Sequence, residues 1–173
     1  MADDHFSLFG LPVRYAQDGQ ALERAWRAVA AQVHPDRYAT AGAAERRVAM
    51  QWAARANEAY RTLRDPLARA RYLCELRGAD LQAESNTAMS PAFLMQQMQW
   101  REALDEARAE GGGPALDALR AELDQARADM RETVRALLDD GGGGAPAAAE
   151  RVREWMFLER LAQEVEDARH AAE

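Results

Sequence analysis

The chain has 173 residues, of which 48% are hydrophobic and 29% are charged, and its formal net charge at pH 7 is -7. This composition is typical of a soluble globular protein with one large or two small domains, and no apolar run approaches the ~18 residues of a membrane span. Cys74 is the only cysteine, which excludes a disulfide framework, a CxxC zinc site and a cysteine-ligated iron–sulfur cluster. The acidic start, MADDHFSLFG, lacks the basic and apolar regions of a signal peptide, so we expect a cytoplasmic location.

Charge is divided unevenly along the chain. Residues 1–77 contain 12 Arg and 9 Asp or Glu, whereas residues 78–173 contain 10 Arg and 20 Asp or Glu. The two halves are therefore expected to meet different partners. An acidic C-terminal half also argues against nucleic acid as a ligand, because binding to phosphate requires a basic surface.

The first long element is a predicted amphipathic helix over residues 20–33. Its apolar side chains recur at spacings of four, three and four residues: Leu22, Trp26, Val29 and Val33. Arg24 and Arg27 fall on the opposite face, which makes the outer surface of this helix partly basic. Pro35 disfavours helical geometry at His34 and cannot donate a backbone hydrogen bond, so the helix is expected to end there.

A second predicted helix over residues 43–64 pairs with the first to form an antiparallel hairpin with a tight loop. Its expected buried face comprises Ala49, Trp52, Ala56, Ala59 or Tyr60, and Leu63. A third helix begins with Asp65 as the N-cap and Pro66 at the first helical position. The N-terminal residues expected to pack across the hairpin are Phe6, Leu8, Phe9 and Leu11.

The C-terminal half is predicted to be a three-helix bundle over residues 90–173, joined to the first unit by a polar linker over 78–89. Ser90 and Pro91 begin a helix that runs to about 109, and two more helices follow over about 115–139 and 146–170. The glycine runs EGGGP and DDGGGGAP resemble phosphate loops only superficially, because neither follows a strand or contains Lys. We interpret both as helix–helix loops, which gives an all-α fold.

The first bundle helix carries more apolar surface than one core stripe needs. Its predicted core-facing side chains are Phe93, Gln97, Trp100 and Leu104, which cluster within about 60° of arc at 100° per residue. Leu94, Met95 and Met98 lie away from that line, and Glu102 and Glu106 project on their side. Two interpretations stay open: a wide buried face covered by the N-terminal unit, or an exposed binding patch rich in methionine with a charged rim.

The polar residues do not indicate an enzyme, a metal site or a cofactor. His34 and Asp36 flank Pro35, but no Ser or Cys nucleophile accompanies them, and two ligands do not make a metal site. His5 and His170 lie near the chain ends and are expected to be solvated. Cys74, in the short third helix, is expected to be a buried and inert thiol.

In its context, the HPD tripeptide resembles the J-domain of Hsp70 co-chaperones, because it follows an amphipathic helix and precedes a helix ending NEAYRTLRDPLARARYL. The segments FSLFGLP and PAFLMQQMQWREALDEA narrow the resemblance to the HscB family, the J-domain co-chaperones of iron–sulfur cluster assembly. The resemblance implies a J-domain over 1–77 that stimulates ATP hydrolysis by a specialised Hsp70 of the HscA type. It also implies a C-terminal bundle that delivers the cluster scaffold protein IscU, with no membrane contact.

The resemblance also implies two sets of contact residues. The Hsp70-binding set is His34, Pro35, Asp36, Arg24, Arg27 and Arg37. The scaffold-binding set is Leu94, Met95, Met98, Gln99, Glu102, Glu106 and Phe157, which favours the exposed-patch interpretation. Two departures from the family pattern are Gln99, where relatives have a glutamate, and Val33, where J-domains commonly have an aromatic residue. The alternatives are a J-protein with another client, or a helical adaptor in which HPD is incidental.

Overall fold

The computed structural model describes residues 4–81, 89–141 and 144–172, and in these ranges the chain is helical with no strand. Contacts divide the protein into two compact units, Met1–Arg77 and Gly78–Glu173. None of the helices in the described ranges is long and apolar enough to cross a membrane.

In its described residues, 4–77, the first unit contains four α-helices, three of which follow an aspartate N-cap. They are α1 (His5–Leu8), α2 (Gly19–Gln32), α3 (Ala43–Arg64) and α4 (Pro66–Leu76). The Asp18 carboxylate accepts a hydrogen bond from the Gln20 amide at 2.9 Å, and the Asp65 carboxylate accepts one from the Ala68 amide at 2.7 Å. Both aspartates thus satisfy amides that have no partner within their helices.

All four helices contribute to the core of the first unit. Its buried members are Phe6, Phe9, Tyr15, Leu22, Ala49, Ala56, Ala59, Leu63, Ala70, Leu73 and Cys74. Trp26 of α2 stacks on Tyr60 of α3 with ring centroids 4.4 Å apart, and its indole Nε1 donates to Asn57 Oδ1 at 3.0 Å. These contacts join α2 to α3, and the expected burial of Cys74 is observed.

The predicted burial of Trp52 is wrong, because 42% of this residue is exposed. Trp52 lies in the first half of α3, opposite the end of α2, where the hairpin is open. A groove of about 700 Å³ occupies this end, and Val29, Val33 and Trp52 are among its lining residues. The guanidinium of Arg55 lies 5.4 Å from the centroid of the Trp52 ring, so the indole packs partly against its own helix.

The part of the second unit that the structure describes contains three long helices: α5 (Pro91–Ala109), α6 (Pro114–Asp139) and α7 (Gly144–Ala171). One core cluster of this unit comprises Phe93, Trp100, Leu104, Ala107, Leu116, Leu119, Leu123, Leu158, Leu161 and Val165. Arg127 of α6 donates to both carboxylate oxygens of Glu159 of α7 at 2.8 and 2.9 Å, which adds a polar contact between these two helices.

The start of the predicted linker is packed into the second unit. Ala79 and Leu81 are buried, and Arg153 Nη1 of α7 donates to the Leu81 carbonyl at 3.3 Å. Residues 78–81 are therefore part of the folded unit, whereas most of the remaining linker, residues 82–88, lies outside the described residues.

The turn between α5 and α6 requires glycine at position 112. Gly112 has φ +86°, and a Cβ built there would lie 3.0 Å from Ala172 Cβ and 3.1 Å from Leu116 Cδ1. The left-handed backbone would strain any larger residue, and the close contacts would require its neighbours to shift. The EGGGP segment is thus a helix–helix turn, as predicted.

Candidate interaction sites

His34 organises a tight turn between α2 and α3. Residues Pro35–Tyr38 form one turn of 3-10 helix within the predicted loop, and His34 is its N-cap. The Asp36 amide donates to His34 Nδ1 at 3.2 Å, and the Arg37 amide donates to the His34 carbonyl at 3.0 Å. His34 has the extended backbone that a following proline favours. Pro35 occupies a first-turn position, where its missing N–H costs no hydrogen bond within the helix.

This turn displays its polar groups to solvent. The side chains of His34 and Asp36 are 59% and 92% exposed, and His34 Nδ1 lies 3.6 Å from Asp36 Oδ2. Because Nδ1 accepts from a backbone amide, the neutral imidazole carries its proton on Nε2. The turn therefore offers a partner an imidazole donor beside an exposed carboxylate, in a geometry fixed by the backbone.

The three predicted electrostatic contacts are all exposed. Arg24 and Arg27 lie on α2, and Arg37 lies in the 3-10 turn. Arg27 forms an ion pair with Glu23 one turn earlier on α2. Glu23 was not singled out in the sequence, and its carboxylate offsets part of the positive charge that Arg27 would present to an acidic partner.

Three apolar side chains of α5 are exposed, and we call them the α5 patch: Leu94, Met95 and Met98, with exposed fractions of 44%, 65% and 72%. The opposite face of α5 enters the core through Phe93, Trp100 and Leu104. These three side chains are therefore not part of the core of the second unit, and the binding patch stays a prediction.

Acidic and amide side chains border the α5 patch. Glu102 and Glu106 are exposed, as the sequence pattern suggested, and so is Gln99, which the family resemblance added. Asp105, which the pattern did not single out, lines with Met98, Glu102 and Glu106 a shallow groove of about 550 Å³. The patch therefore combines flexible apolar side chains with a negative border, a combination suited to a partner that is apolar and basic.

Phe157 is partly buried and packs against the core of the bundle. Its ring meets that of Phe93 edge-on, with centroids 6.3 Å apart. Arg101 lies 5.4 Å from the centroid of the Phe157 ring and donates to both carboxylate oxygens of Glu164 at 3.0 and 3.2 Å. Phe157 thus helps to join α5 to α7, and it is less accessible than the three residues of the patch.

The two terminal histidines behave differently. His170 has a side chain that is 67% exposed, as expected. The prediction that His5 is solvated is wrong: its ring stacks on Tyr72 with centroids 4.3 Å apart, and its backbone amide donates to the Tyr72 hydroxyl at 2.8 Å. Burial lowers the pKa of His5 and raises that of Tyr72. Across residues 4–81, 89–141 and 144–172, no group of three or more His, Cys, Asp and Glu could hold a metal ion.

An HPD turn at the tip of an antiparallel helical hairpin, followed by a separate helical bundle, defines a J-domain co-chaperone. A family model described as the HSCB C-terminal oligomerisation domain matches residues 89–166. The chain is 71% identical over 170 residues to a protein of Bordetella petrii named "Co-chaperone protein HscB homolog", and the alignment covers 98% of each chain.

Solved structures show the same fold. The chaperone HscB from Vibrio cholerae matches with a TM-score of 0.82 at 34% identity, covering 97% of this chain and 98% of that one. The human co-chaperone protein HscB matches with a TM-score of 0.86 at 21% identity, covering 95% of this chain and 81% of that one. The protein belongs to the HscB family of co-chaperones.

Proposed function

We propose that this protein stimulates the ATPase of a specialised Hsp70 of the HscA type and delivers to it an iron–sulfur scaffold protein of the IscU type. The observation that carries the proposal is the exposed, internally capped HPD turn, which shares a chain with a bundle that exposes the α5 patch. The relatives named as HscB co-chaperones support the same role. The proposal places the protein in the cytoplasm, in the maturation of iron–sulfur proteins.

In this proposal the first unit binds the Hsp70 and performs no chemistry itself. The bond from the Asp36 amide to His34 Nδ1 fixes the turn before binding, so less conformational entropy is lost on association. Exposed Arg24, Arg27 and Arg37 would accelerate encounter with an acidic chaperone surface. Stimulation then requires that the docked turn favour the hydrolysis-competent state of the Hsp70, because a partner shifts an equilibrium only through differential affinity.

The second unit would hold the scaffold through the α5 patch. Methionine side chains adapt their shape to a partner, and Met95 and Met98 are the two most exposed members of the patch. Glu102 and Glu106 at the border would steer a basic scaffold surface, with an effect on association that weakens as salt screens the charges. Phe157 would act mainly by supporting α5 from behind, through Phe93.

Purified proteins test this proposal directly. The ATPase rate of the Hsp70 is measured alone, with this protein, and with this protein and the scaffold. The proposal predicts stimulation by the protein and further stimulation by the scaffold. Pull-down identifies the alternatives: recovery of an Hsp70 with other clients would favour a J-protein of different specificity, and recovery of neither partner would favour a helical adaptor.

A further inference from the structure

One carboxylate is enclosed within the bundle at the end where α5 begins. Glu154 of α7 is 1% exposed, and it is the one charged residue classed as buried in the part of the chain that the structure describes. An ionised carboxylate that leaves water is strongly destabilising unless charge and hydrogen bonds compensate it. The contacts of Glu154 therefore show how its burial is compensated and which segments it joins.

The contacts of Glu154 reach Ser90, the N-cap residue of α5. Its Oε1 accepts from both the Ser90 backbone amide, at 3.2 Å, and the Ser90 hydroxyl, at 3.0 Å. Its Oε2 lies 3.0 Å from Arg151 Nη1 of the same helix. One oxygen is thus neutralised by an arginine, while the other ties α7 to the residue that caps α5.

Ser90 connects Glu154 by hydrogen bonds to the first turn of α5, which carries part of the α5 patch. Its hydroxyl donates to Glu154 and at the same time accepts from the Phe93 amide at 3.2 Å, and its carbonyl accepts from the Leu94 amide at 3.0 Å. Glu154 therefore orients the hydroxyl so that its free lone pair points at the helix. Leu94 and Met95 follow within five residues of the cap, in the part of a helix that frays first when the cap is lost.

We propose that Glu154 is a positioning residue for scaffold binding: by fixing Ser90, it holds the first turn of α5 in the geometry that presents Leu94 and Met95. This inference rests on the proposed scaffold-binding role of the α5 patch. Arg153, the preceding residue of α7, donates a hydrogen bond from its Nη1 to the Leu81 carbonyl. Consecutive residues of α7 thus fix the chain at position 81 and again at position 90.

Loss of the contact between Glu154 and Ser90 should slow association with the scaffold without changing dissociation. If the first turn of α5 frays, only a fraction of the molecules is competent to bind, and the apparent dissociation constant rises in inverse proportion to that fraction. Association slows by the same factor, whereas dissociation from the completed complex is unchanged. Loss of a direct contact residue has the opposite pattern, since it mainly raises the dissociation rate.

The test measures association and dissociation rates of purified IscU-type scaffold protein with the full chain. For Glu154→Ala we expect association about tenfold slower, equivalent to about 1.4 kcal/mol, with dissociation unchanged. Glu150→Ala is the matched control, because Glu150 is an exposed acid one turn earlier whose carboxylate lies 3.9 Å from the same Arg151. This control should bind as the unmodified protein does.

Two variants at Ser90 test this contact further. Ser90→Ala removes both the acceptor for the Phe93 amide and the hydroxyl donor to Glu154, so it should associate at least as slowly as Glu154→Ala. Ser90→Thr keeps both functions and should restore rapid association. Amide hydrogen exchange at Phe93 and Leu94 should accelerate in the slow variants and not in Ser90→Thr.

Each outcome is decisive. Unchanged association by Glu154→Ala, or a faster dissociation with protected Phe93 and Leu94 amides, would overturn the positioning role. A smaller fraction of active protein with unchanged rates would show a purely structural role and would also overturn it. If the unmodified protein does not bind the scaffold, the proposed function fails, and the exchange rates at Phe93 and Leu94 still decide whether Glu154 fixes α5.

Discussion

Truncating the α5 patch shows whether its side chains bind a partner or stabilise the core of the fold. We consider the triple variant Leu94→Ala, Met95→Ala, Met98→Ala. The mean exposed fraction of these residues is about 60%, and full burial of a Leu or Met side chain is worth about 1.5–3 kcal/mol. A partner that covers the patch would therefore gain about 1 kcal/mol or more from each side chain. We expect scaffold binding to weaken by at least ~2 kcal/mol, mainly through faster dissociation.

Fold stability should respond little to the same changes. On average these three residues already expose about 60% of their surface to water. Alanine also has the highest helix propensity, which offsets part of the lost packing. A core location would instead cost about 2–5 kcal/mol for each truncation. Calorimetry of unfolding and surface plasmon resonance with the scaffold measure the two quantities independently.

The control carries equivalent truncations on the first unit. Met50 and Leu76 are 69% and 43% exposed, close to the values for the patch, so Met50→Ala with Leu76→Ala changes a similar kind of surface. This control should keep scaffold affinity. A triple variant that melts much earlier than the unmodified protein, while its folded fraction still binds the scaffold normally, would show that these residues belong to the core and not to a binding surface.

Three further predictions concern charge, pH and the thiol. Reversing both Glu102 and Glu106 to Arg should slow scaffold association at low salt, and the difference should shrink at high salt; stopped-flow mixing across ionic strength measures it, and a change confined to dissociation would contradict it. Burial lowers the pKa of His5, so the unfolded chain binds the proton more tightly and the first unit should lose stability as pH falls through 6.5. His5→Phe, which can still stack on Tyr72, should flatten that pH dependence in urea titrations; an unchanged slope would contradict the assignment. Cys74→Ala should preserve scaffold delivery and lower stability by about 1 kcal/mol, because Cys74 is fully buried; loss of delivery by a folded variant would show a functional thiol.

Helix positions were predictable because their signals are local. Asp65 and Pro66 define the start of α4 through a cap and a pre-set backbone angle, and both act within four residues. The separation of Leu94 and Met98 from the core face of α5 follows from the 100° rotation per residue. Such features need no knowledge of the neighbouring helices.

Burial and contacts that depend on residues distant in the sequence were not predicted correctly. Trp52 fits the apolar period of α3, but its burial depends on whether another element covers that end of the hairpin, and α2 does not. His5 is held by Tyr72, which lies 67 positions away in the sequence. Glu154 looks like an ordinary surface acid of α7, and only the packed bundle shows that it meets Ser90. No pattern within one helix contains this information.

The proposed function depends on one claim, that the HPD turn couples this protein to an Hsp70 ATPase. The most direct measurement is the steady-state ATPase rate of the HscA-type chaperone with the unmodified protein and with His34→Gln, each with and without scaffold. His34 is exposed, so the variant should keep its helical content and its scaffold affinity. We expect stimulation by the unmodified protein and none by His34→Gln; equal stimulation by the two would contradict the claim.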